Sequence, residues 1–325
     1  KYFRDLKLLT EDLIKDKVNL DSKIFVAYSG GPDSSALLHL LARINDAQEL
    51  NLQAIHINHN LSKKSLMWEN HCKQVCAKLK INLITESIKV TSEGGGIESA
   101  SRRARYKIFE NVLEDNDQML LAHHSDDVAE TIFMRMLRGT GIEGIEGPKQ
   151  ERSLGSGKLI RPLLSIPKAE ILSFLEENKI NFIKDDSNQD NKFDRNFLRN
   201  NIFPLLETRW NGFPNRINNM ASIIGERNSN YAKLIYDEYK DLIGNEIEIK
   251  KLKEIPISHV GDILRYSIKK SKIALPNTKI MKEIIKTFLD SNPGPKSEVS
   301  WSRSDKEEAA GKIIYQKGYL MISKK

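Results

Sequence analysis

The sequence predicts an α/β fold, in which a doubly wound, mostly parallel sheet is followed by a smaller, mainly helical C-terminal domain that ends in a β-hairpin. Three observations support this prediction. Short apolar runs alternate with amphipathic helical patterns between residues 23 and 138, as in a parallel sheet that helices cover on both faces. A glycine-rich turn joins the first apolar run to the first helical pattern. Residues 312–322, near the carboxyl end, have the pattern of a hairpin.

Four apolar runs indicate strands, and the amphipathic patterns between them indicate helices. The predicted strands cover residues 23–28, 52–57, 82–88 and 118–123, and the predicted helices cover 33–45, 65–79, 98–115 and 126–138. Ligands of such sheets bind beyond the carboxyl ends of the strands. Polar or glycine-rich segments occur at all four of these ends, which predicts one shared site. These segments are residues 29–34, 56–59, 94–96 and 123–127.

The second half of the chain begins with a glycine-rich segment. Residues 139–157 contain six glycines, so we expect a mobile loop that gates the substrate. A short strand-like segment and a helix starting near Pro167 follow. A break at residues 210–214 divides the chain into a domain over 1–212, which contains the glycine-rich turn, and a basic C-terminal domain over 213–325. Helices are expected there over residues 215–243 and 256–290.

Composition limits the class of protein. No run of 18 or more apolar residues occurs, and the amino terminus lacks the apolar core of a signal peptide. We therefore expect a cytoplasmic protein without a membrane span. Cys72 and Cys76 are four residues apart on a predicted helix, where we expect reduced thiols. The first residue is not Met, which indicates trimming or a fragment.

Charge is distributed unevenly along the chain. The net charge is +7, but residues 250–325 carry 17 lysines and arginines against 8 aspartates and glutamates. The preceding residues carry 34 against 36. The basic end of the chain favours a polyanionic partner, although a solvated lysine-rich surface would have the same composition.

The turn after the first strand has the sequence Ser-Gly-Gly-Pro-Asp-Ser-Ser. A strand–turn–helix directs backbone N–H groups and the positive end of a helix dipole at one point, and glycines let an anion approach closely. Asp33 suits a divalent metal between its carboxylate and phosphate groups. Because the lysine of a Walker A loop is absent, a different use of ATP is predicted. Pro32 removes one N–H donor. The candidate nucleotide-binding residues are Ser29, Gly30, Gly31, Pro32, Asp33, Ser34 and Ser35, with Asp33 also the candidate Mg²⁺ ligand.

Two further groups of charged residues suit catalysis. Arg102 and Arg105 lie on one side of a predicted helix, where they can stabilise a phosphorus centre and departing pyrophosphate; a solvated helix face is the alternative. His123, Asp127 and Glu130 share one face at the amino end of another helix. Carboxylates there can bind amines as ammonium groups, and a carboxylate or imidazole can accept a proton. A metal site and an N-capped helix with acidic first-turn residues are the other interpretations of this group.

Five segments of the chain, taken in order, resemble one enzyme family. They are SGGPDSS, HINHNLS, ESASRRARY, LLAHHSDDVAETIFMRMLRGTG and DDSNQDNKFDRNFLRN. The first resembles the PP-loop of ATP pyrophosphatases, which have an adenine nucleotide alpha hydrolase-like fold. Together the five resemble the tRNA(Ile)-lysidine synthetase family over roughly residues 22–206. The fourth segment discriminates best, since thiouridine, GMP and NAD synthetases share the first.

The resemblance implies a ligase that uses ATP and Mg²⁺. It attaches free L-lysine to C2 of the wobble cytidine in the CAU anticodon of tRNA(Ile), through an adenylated cytidine, with release of AMP and pyrophosphate, and so changes codon specificity from AUG to AUA. The resemblance also implies that Asp127 and Glu130 handle lysine, that His123 contacts phosphate or acts in acid–base chemistry, and that main-chain groups near His56 and Asn58 bind adenine. Members are often homodimers. Five further residues have two open interpretations: they either bind the tRNA or stabilise the last elements of the sheet. These residues are Asp186, Asn188, Arg195, Asn196 and Arg199.

Two other functions remain as alternatives. A PP-loop enzyme that transfers sulfur to tRNA would need catalytic thiols, for which Cys72 and Cys76 are poor candidates. A catalytically silent RNA-binding module is the other alternative, and the intact Asp33, Asp127 and Glu130 argue against it.

Overall fold

The computed structural model describes residue 19 and residues 21–60, 64–88, 96–185, 190–302 and 309–325. These residues form two compact units. The described parts of residues 1–92, 100–138 and 144–221 make the first unit, and those of 93–99, 139–143 and 222–325 make the second. The division of the chain into domains between residues 212 and 213 stays a prediction.

The first unit is built on a six-stranded sheet. Its strands are β1 (Ile24–Ala27), β2 (Leu52–Asn58), β3 (Asn82–Ser87), β4 (Gln118–Leu120), β5 (Glu151–Leu154) and β6 (Gly157–Ile160). They lie in the order β3-β2-β1-β4-β6-β5. Every neighbouring pair is parallel except β5 and β6, which are antiparallel. The prediction of a doubly wound, mostly parallel sheet is therefore confirmed.

Each face of this sheet has its own core. Alternate residues of a strand point to opposite faces. Ile24 and Val26 of β1 therefore pack with Leu37 in one buried cluster, whereas Phe25 packs with Phe109 in another.

The helices of this part of the chain are α1 (Pro32–Gln48), α2 (Ser65–Lys78), α3 (Gly96–Val112), α4 (Ser125–Leu137), α5 (Ile142–Ile145), α6 (Lys168–Glu177), α7 (Asp194–Phe197) and α8 (Phe203–Arg209), with a π-helical turn at Leu198–Ile202 between the last two.

The glycine-rich segment forms regular structure where the sequence predicted a loop. Besides α5 it contains β5 and the start of β6, so the loop prediction is wrong there. A Cβ added at Gly157 would lie 2.3 Å from the carbonyl oxygen of Asp117. The backbone N–H of Lys158 donates to the same oxygen over 2.9 Å. This glycine therefore allows two backbones to approach each other closely, and it does not provide mobility.

The second unit contains a four-stranded antiparallel sheet and several helices. Helix α9 (Phe213–Tyr239) contributes residues to both units. The other elements are β7 (Glu246–Glu248), α10 (Ile249–Lys253), α11 (Ile257–Lys270), α12 (Thr278–Ile285), β8 (Glu298–Trp301), β9 (Gly311–Gln316) and β10 (Tyr319–Lys324). The strand order is β7-β10-β9-β8.

The terminal hairpin is confirmed. Strands β9 and β10 pair with Tyr319 opposite Gln316. The two turn residues, Lys317 and Gly318, have φ angles of 48° and 91°, as a two-residue hairpin turn of the primed type requires. Strands β7 and β8 were not predicted. No helix in the described ranges is both long and apolar enough to cross a membrane.

Candidate active site

The carboxyl ends of β1 and β4 define a switch point of the sheet. These two strands are neighbours, and the strand order runs outward from them in opposite directions, through β2 on one side and β6 on the other. In an open α/β sheet, ligands bind in the crevice at such a point. The turn at residues 29–31 follows β1, and the His123–Asp127 segment follows β4. The structure therefore brings these two predicted segments to the same crevice.

Residues 29–31 form a tight turn after β1. Gly30 has a φ of +81°, and a Cβ there would lie 2.5 Å from Cδ1 of Ile183, so the position requires glycine. The backbone N–H of Ile183 donates to the Gly30 carbonyl over 2.8 Å. The backbone N–H of Ser29 donates to Oγ of Ser34 over 3.2 Å, and that of Gly31 donates to Oγ of Ser29 over 3.3 Å. The turn is thus held in shape by its own serines.

Helix α1 starts directly at this turn. Gly31 is its N-cap and Pro32 is in its first turn, where a missing N–H costs no intrahelical hydrogen bond. The hydroxyl of Ser35, which is buried, donates to the Gly30 carbonyl over 3.3 Å. The amino end of this 17-residue helix combines backbone donors, hydroxyl groups and the positive end of the helix dipole. This donor set fits the phosphate groups of a nucleotide.

Asp33 has a partner that the sequence did not predict. Oδ1 of Asp33 accepts a hydrogen bond from Nζ of Lys168, and the two side chains are 30% and 29% exposed. Lys168 is the first residue of α6, and its backbone N–H donates to Oδ2 of Asp126 over 2.9 Å. Lys168 therefore supplies a cation beside a loop that lacks the Walker lysine. The only signal for it in the sequence is a basic residue after Pro167, at a helix start.

The carboxylate of Asp33 also fits a shared Mg²⁺. In the described ranges, no group of three His, Cys, Asp or Glu side chains is arranged to hold a metal ion. Mg²⁺ is usually bound by one or two carboxylates together with substrate phosphates. A single carboxylate at the amino end of α1 matches that kind of site.

Asp127 and Glu130 are brought together by two arginines. Glu130 is 1% exposed. Its Oε1 accepts from Nε of Arg199 over 2.7 Å, and its Oε2 accepts from Nη2 of Arg199 over 2.8 Å and from Nε of Arg195 over 2.6 Å. Oδ1 of Asp127 accepts from Nη2 of Arg195 over 3.0 Å. The structure thus gives these arginines a specific partner, which the sequence left open.

Ionisation of Asp127 is favoured by its neighbours. Burial opposes the charge on Asp127, but His124 and Arg195 outweigh burial and lower the pKa of its carboxyl. Burial likewise opposes charge on Arg199, and the hydrogen bonds to Glu130 outweigh it and raise the pKa of Arg199. The two carboxyl groups of this pocket are thus paired with the guanidinium groups of Arg195 and Arg199.

His124 connects the loop to this pocket. Its Nε2 lies 3.7 Å from Oδ1 of Asp33 and 3.4 Å from Oδ2 of Asp127. Its backbone N–H donates to Oδ2 of Asp127 over 3.1 Å, which caps α4. Burial disfavours a charge on the ring, but Asp126, Asp127 and Asp33 outweigh it and raise the pKa of His124. No role for this residue was predicted from the sequence.

The side chain of His123 contacts Arg161, whereas that of Glu130 contacts Arg195 and Arg199. Its Nδ1 accepts a hydrogen bond from Nε of Arg161 over 3.0 Å. Loss of hydration lowers the pKa of His123, and the positive charges of Arg161, Arg102 and Arg105 act in the same direction, against Asp127. The imidazole is therefore neutral and carries its proton on Nε2. Arg161 was missed, because its distance from His123 in the sequence gives no signal.

His56 and Asn58 hold the end of β2. Nδ1 of His56 donates to the carbonyl of Tyr28 over 2.9 Å, and burial lowers the pKa of His56. Nδ2 of Asn58 donates to Glu69 over 3.0 Å, and its Oδ1 accepts from the backbone N–H of Asn60 over 2.9 Å. Both side chains therefore have partners within the protein. Their predicted part in adenine binding stays a prediction.

Arg102 and Arg105 lie on α3, close to Tyr106. Nη2 of Arg102 donates to the Tyr106 hydroxyl over 3.3 Å. Burial is the main cause of the lowered pKa of His123, and the positive charges of both arginines add to it, which is consistent with a position on the site side of the sheet. The predicted residues that lie outside the described ranges are Gly94, Gly95, Asp186 and Asn188.

The two cysteines are buried thiols. Burial raises the pKa of Cys72 and of Cys76 to about 12. Sγ of Cys72 lies 3.1 Å from the position of a Cβ on Gly30, so this thiol packs under the turn. Reactive cysteines are partly exposed and have lowered pKa values. These thiols are therefore inert at neutral pH.

The fold and the crevice together define an α/β protein whose glycine-rich turn adjoins a buried acidic pocket at the switch point of the sheet. The turn has the sequence and the position of a PP-loop. The chain belongs to the PP-loop domain family, which matches residues 4–206.

Two curated relatives are both named tRNA(Ile)-lysidine synthase. The protein of Legionella pneumophila (strain Lens) is 35% identical over 283 residues, which cover 86% of this chain and 65% of that protein. The protein of Coxiella burnetii (strain RSA 493 / Nine Mile phase I) is 35% identical over 284 residues, which cover 84% of this chain and 62% of that protein. This chain thus spans slightly less than two thirds of the length of these relatives.

Among solved structures, the U34-tRNA thiolase NcsA from Methanococcus maripaludis is similar to this chain. The TM-score is 0.57 at 20% sequence identity, over 68% of this chain and 78% of that chain. The likeness shows a shared fold.

Proposed function

We propose that this chain ligates free L-lysine to C2 of the wobble cytidine in the CAU anticodon of tRNA(Ile), at the expense of ATP. The observation that carries the proposal is the buried Asp127–Glu130 pair next to the PP-loop. Two buried acidic side chains that already bind guanidinium groups, next to a turn suited to phosphate, suit an amine substrate and a nucleotide bound together. The name of the two relatives, at 35% identity, supports the same substrate.

On the nucleotide side, the chain offers backbone donors, hydroxyl groups and one cation. Residues 29–35 and the amino end of α1 would hold the phosphates of ATP, with Mg²⁺ shared between the phosphates and Asp33. Bound ATP supplies the adenylyl group that activates the cytosine carbonyl oxygen for substitution. The ammonium group of Lys168, next to Asp33, compensates negative charge at the turn.

On the amine side, lysine carries positively charged ammonium groups, and the acidic pocket already binds positively charged guanidinium groups. Its ammonium group would exchange with a guanidinium group at Asp127 or Glu130, so that both carboxylates stay compensated. A carboxylate of this pocket or an imidazole would accept a proton from the attacking amine. Neutral His123, which follows β4, would donate a hydrogen bond from its Nε2–H to a negatively charged oxygen of a phosphate group.

On the RNA side, the basic end of the chain provides long-range attraction. Residues 250–325 carry 17 basic against 8 acidic residues, which suits contacts with the phosphates of tRNA. Association of two chains, as the family resemblance implies, belongs to the same proposal.

Sulfur transfer to tRNA is the second candidate, because the solved thiolase shares the fold. Both thiols of this chain are buried and have pKa values of about 12, which argues against it. A C72A/C76A variant should keep its ability to attach lysine. Activity retained in the folded variant would exclude catalysis by these thiols.

The test combines labelled lysine, ATP, Mg²⁺ and a tRNA(Ile) with a CAU anticodon. Label should enter this tRNA and should not enter a methionine tRNA with the same anticodon. A D33A variant should incorporate no label and still bind tRNA. If the unmodified protein binds tRNA but neither incorporates lysine nor exchanges pyrophosphate into ATP, it is a binding module and the proposal is wrong.

A further inference from the structure

Four exposed apolar side chains lie along one side of the long helix α9. At 3.6 residues per turn, their positions fall within an arc of about 80° around the helix axis. The four are Met220, Ile223, Tyr231 and Leu234, and they are between 40% and 68% exposed. The buried residues Ala221 and Ile235 lie on a different side, and so does Tyr236, whose ring centroid is 5.8 Å from Nζ of Lys270. A row of exposed apolar side chains on one side of a helix indicates an interaction surface.

Three exposed charged residues lie in the same arc and complete a symmetric pattern. The seven residues follow one another at intervals of four, three, four, four, three and four residues. These intervals are the same when they are counted from either end, and Arg227 stands at the centre. One end of the row is a positively charged arginine, and the other end is a negatively charged glutamate. We call these seven residues the α9 stripe: Arg216, Met220, Ile223, Arg227, Tyr231, Leu234 and Glu238.

This symmetry suits a second copy of the same helix. At a twofold interface, residue i of one copy contacts residue j of the other, and j contacts i. In an antiparallel pair of α9 helices centred on Arg227, each apolar residue of the α9 stripe meets an apolar residue of the other copy. The apolar contacts are Met220 with Leu234 and Ile223 with Tyr231. At both ends Arg216 meets Glu238, a pair of opposite charge, whereas a parallel pair of helices would place like charges opposite each other.

We propose that two copies of this chain associate through the α9 stripe, with the helices antiparallel about a twofold axis at Arg227. The proposal rests on the proposed function only in that it names the surface for the association of two chains. The hydroxyl of Tyr231 donates to Asp262 over 3.0 Å, which orients the ring. Two arginines that meet at the axis repel each other, so this pair sets the register at a cost in stability. The exposed Glu226, next to Arg227, brings a carboxylate close to the arginine of the other copy.

The size of the α9 stripe predicts a dimer that dissociates reversibly. From Arg216 to Glu238 the helix is about 33 Å long, at 1.5 Å per residue. Two single helices of this length bury less surface than the roughly 1,600 Å² of a standard protein–protein interface. We therefore expect a dissociation constant in the micromolar range, which sedimentation equilibrium measures at protein concentrations of roughly 1–100 µM.

An I223D/L234D variant of the full chain tests the surface without tRNA, ATP or lysine. It places carboxylates where apolar contacts are proposed, so the dissociation constant should rise by about a hundredfold or more. R227L removes the repulsion at the axis and should lower the dissociation constant by about tenfold. The control is L205D, because Leu205 of α8 is 67% exposed and lies outside the α9 stripe. It should leave the dissociation constant unchanged, and circular dichroism shows whether each variant is folded.

Cross-linking tests the antiparallel register, since only Arg227 meets its own copy across the axis. R227C should react with a short bismaleimide to give a covalent dimer. The control is S229C, because Ser229 is also exposed but lies on the opposite side of the helix. Cys72 and Cys76 are buried and have pKa values of about 12, so they contribute little background.

Three results would each overturn the proposal: equal cross-linking of R227C and S229C, an unchanged dissociation constant of I223D/L234D, or a monomer at every concentration. Efficient cross-linking of I223C would show parallel helices and overturn the proposed register. A chain that dimerises as proposed but attaches no lysine contradicts the proposed function alone. A monomer that attaches lysine contradicts only the inference about the α9 stripe.

Discussion

At the scale of single residues, Glu130 determines the chemistry of the acidic pocket. The side chain is 1% exposed and accepts three hydrogen bonds from Arg195 and Arg199. A buried charge is tolerated only when it is paired and hydrogen-bonded. The bidentate contact with Arg199 is the strong form of such a pair. The lysine that we propose as substrate would therefore have to compete with groups of the chain for this carboxylate.

An E130Q variant tests this arrangement. The amide removes the negative charge and leaves two guanidinium groups next to each other, so we expect the free energy of unfolding to fall by about 2 kcal/mol in urea denaturation. Lysine binding, followed by calorimetry, should be lost. The control is E114Q, since Glu114 forms an exposed ion pair with Lys23 over 3.2 Å and should contribute less than about 1 kcal/mol. Unchanged stability of E130Q would contradict charge compensation.

Lys168 gives a second test at this scale. If its ammonium group contacts the phosphates of ATP, K168A should weaken ATP binding by roughly ten- to hundredfold, the value of a hydrogen bond between charged groups. Adenosine, which has no phosphate, should bind equally well to both proteins. Calorimetry in the presence of Mg²⁺ measures both affinities, and K168R should retain part of the ATP affinity.

The matched control for K168A is K158A, because Lys158 forms an ion pair with Glu151 on the sheet edge over 2.9 Å. K158A should leave ATP binding unchanged. An equal loss of adenosine and ATP binding in K168A would show that Lys168 shapes the pocket without contacting phosphate.

At the scale of elements, the sequence predicts what depends on local pattern. Strands β1 to β4 and helices α1 to α4 were found near their predicted positions, because periodicity and the glycine turn are local signals. Strand β5 was mistaken for part of a loop, since it is only four residues long and the glycines around it indicated mobility. Strand β6 overlaps the short strand-like segment that was predicted after the glycine-rich segment. Strands β7 and β8, which were not predicted, are three and four residues long.

The site residues also fall into two groups, those that a local motif predicts and those that only tertiary contacts reveal. Asp33, Asp127 and Glu130 belong to motifs that a sequence shows directly. Lys168 and Arg161 become site residues only through contacts with Asp33 and His123 across the sheet. Such contacts depend on the strand order, which a single sequence does not contain.

Gly157 provides a test at the element scale. Its missing Cβ allows β6 to approach the backbone of Asp117, with an oxygen 2.3 Å from where the Cβ would be. We expect G157A to lower the free energy of unfolding by about 1–3 kcal/mol or more, as overpacking does. The control is G261A in helix α11, where no atom lies within 4 Å of the added Cβ. That variant should gain up to about 1 kcal/mol. Equal stability of G157A and the unmodified protein would contradict the close approach.

At the scale of the whole molecule, charge is concentrated at one end of the chain. In the second unit, lysines line a cavity of about 460 Å³ together with two tyrosines. The exposed lysines among them are Lys250, Lys253 and Lys317. Lysines beside aromatic rings suit single-stranded or looped RNA, where phosphates and bases are both accessible.

A K250Q/K253Q/K317Q variant should bind tRNA more weakly, and the slope of log K against log salt should decrease by up to about 0.9 for each phosphate that the variant no longer neutralises. Filter binding at several salt concentrations measures both. A K78Q/K107Q/K179Q variant, which removes three exposed lysines from the first unit, is the control of equal charge. Identical slopes for the two variants would show that only net charge matters.

The interior position of β1 also affects how the protein is made. Ile24 pairs with Leu52 on one side and with Gln118 on the other, so half of its backbone partners come from a distant part of the chain. A ribosome that adds about 5–20 residues per second delivers β4 several seconds after β1. During that time one edge of an apolar strand stays open, and open edges promote aggregation. The yield of native protein should therefore depend on the speed of translation and on chaperones that cover the nascent sheet.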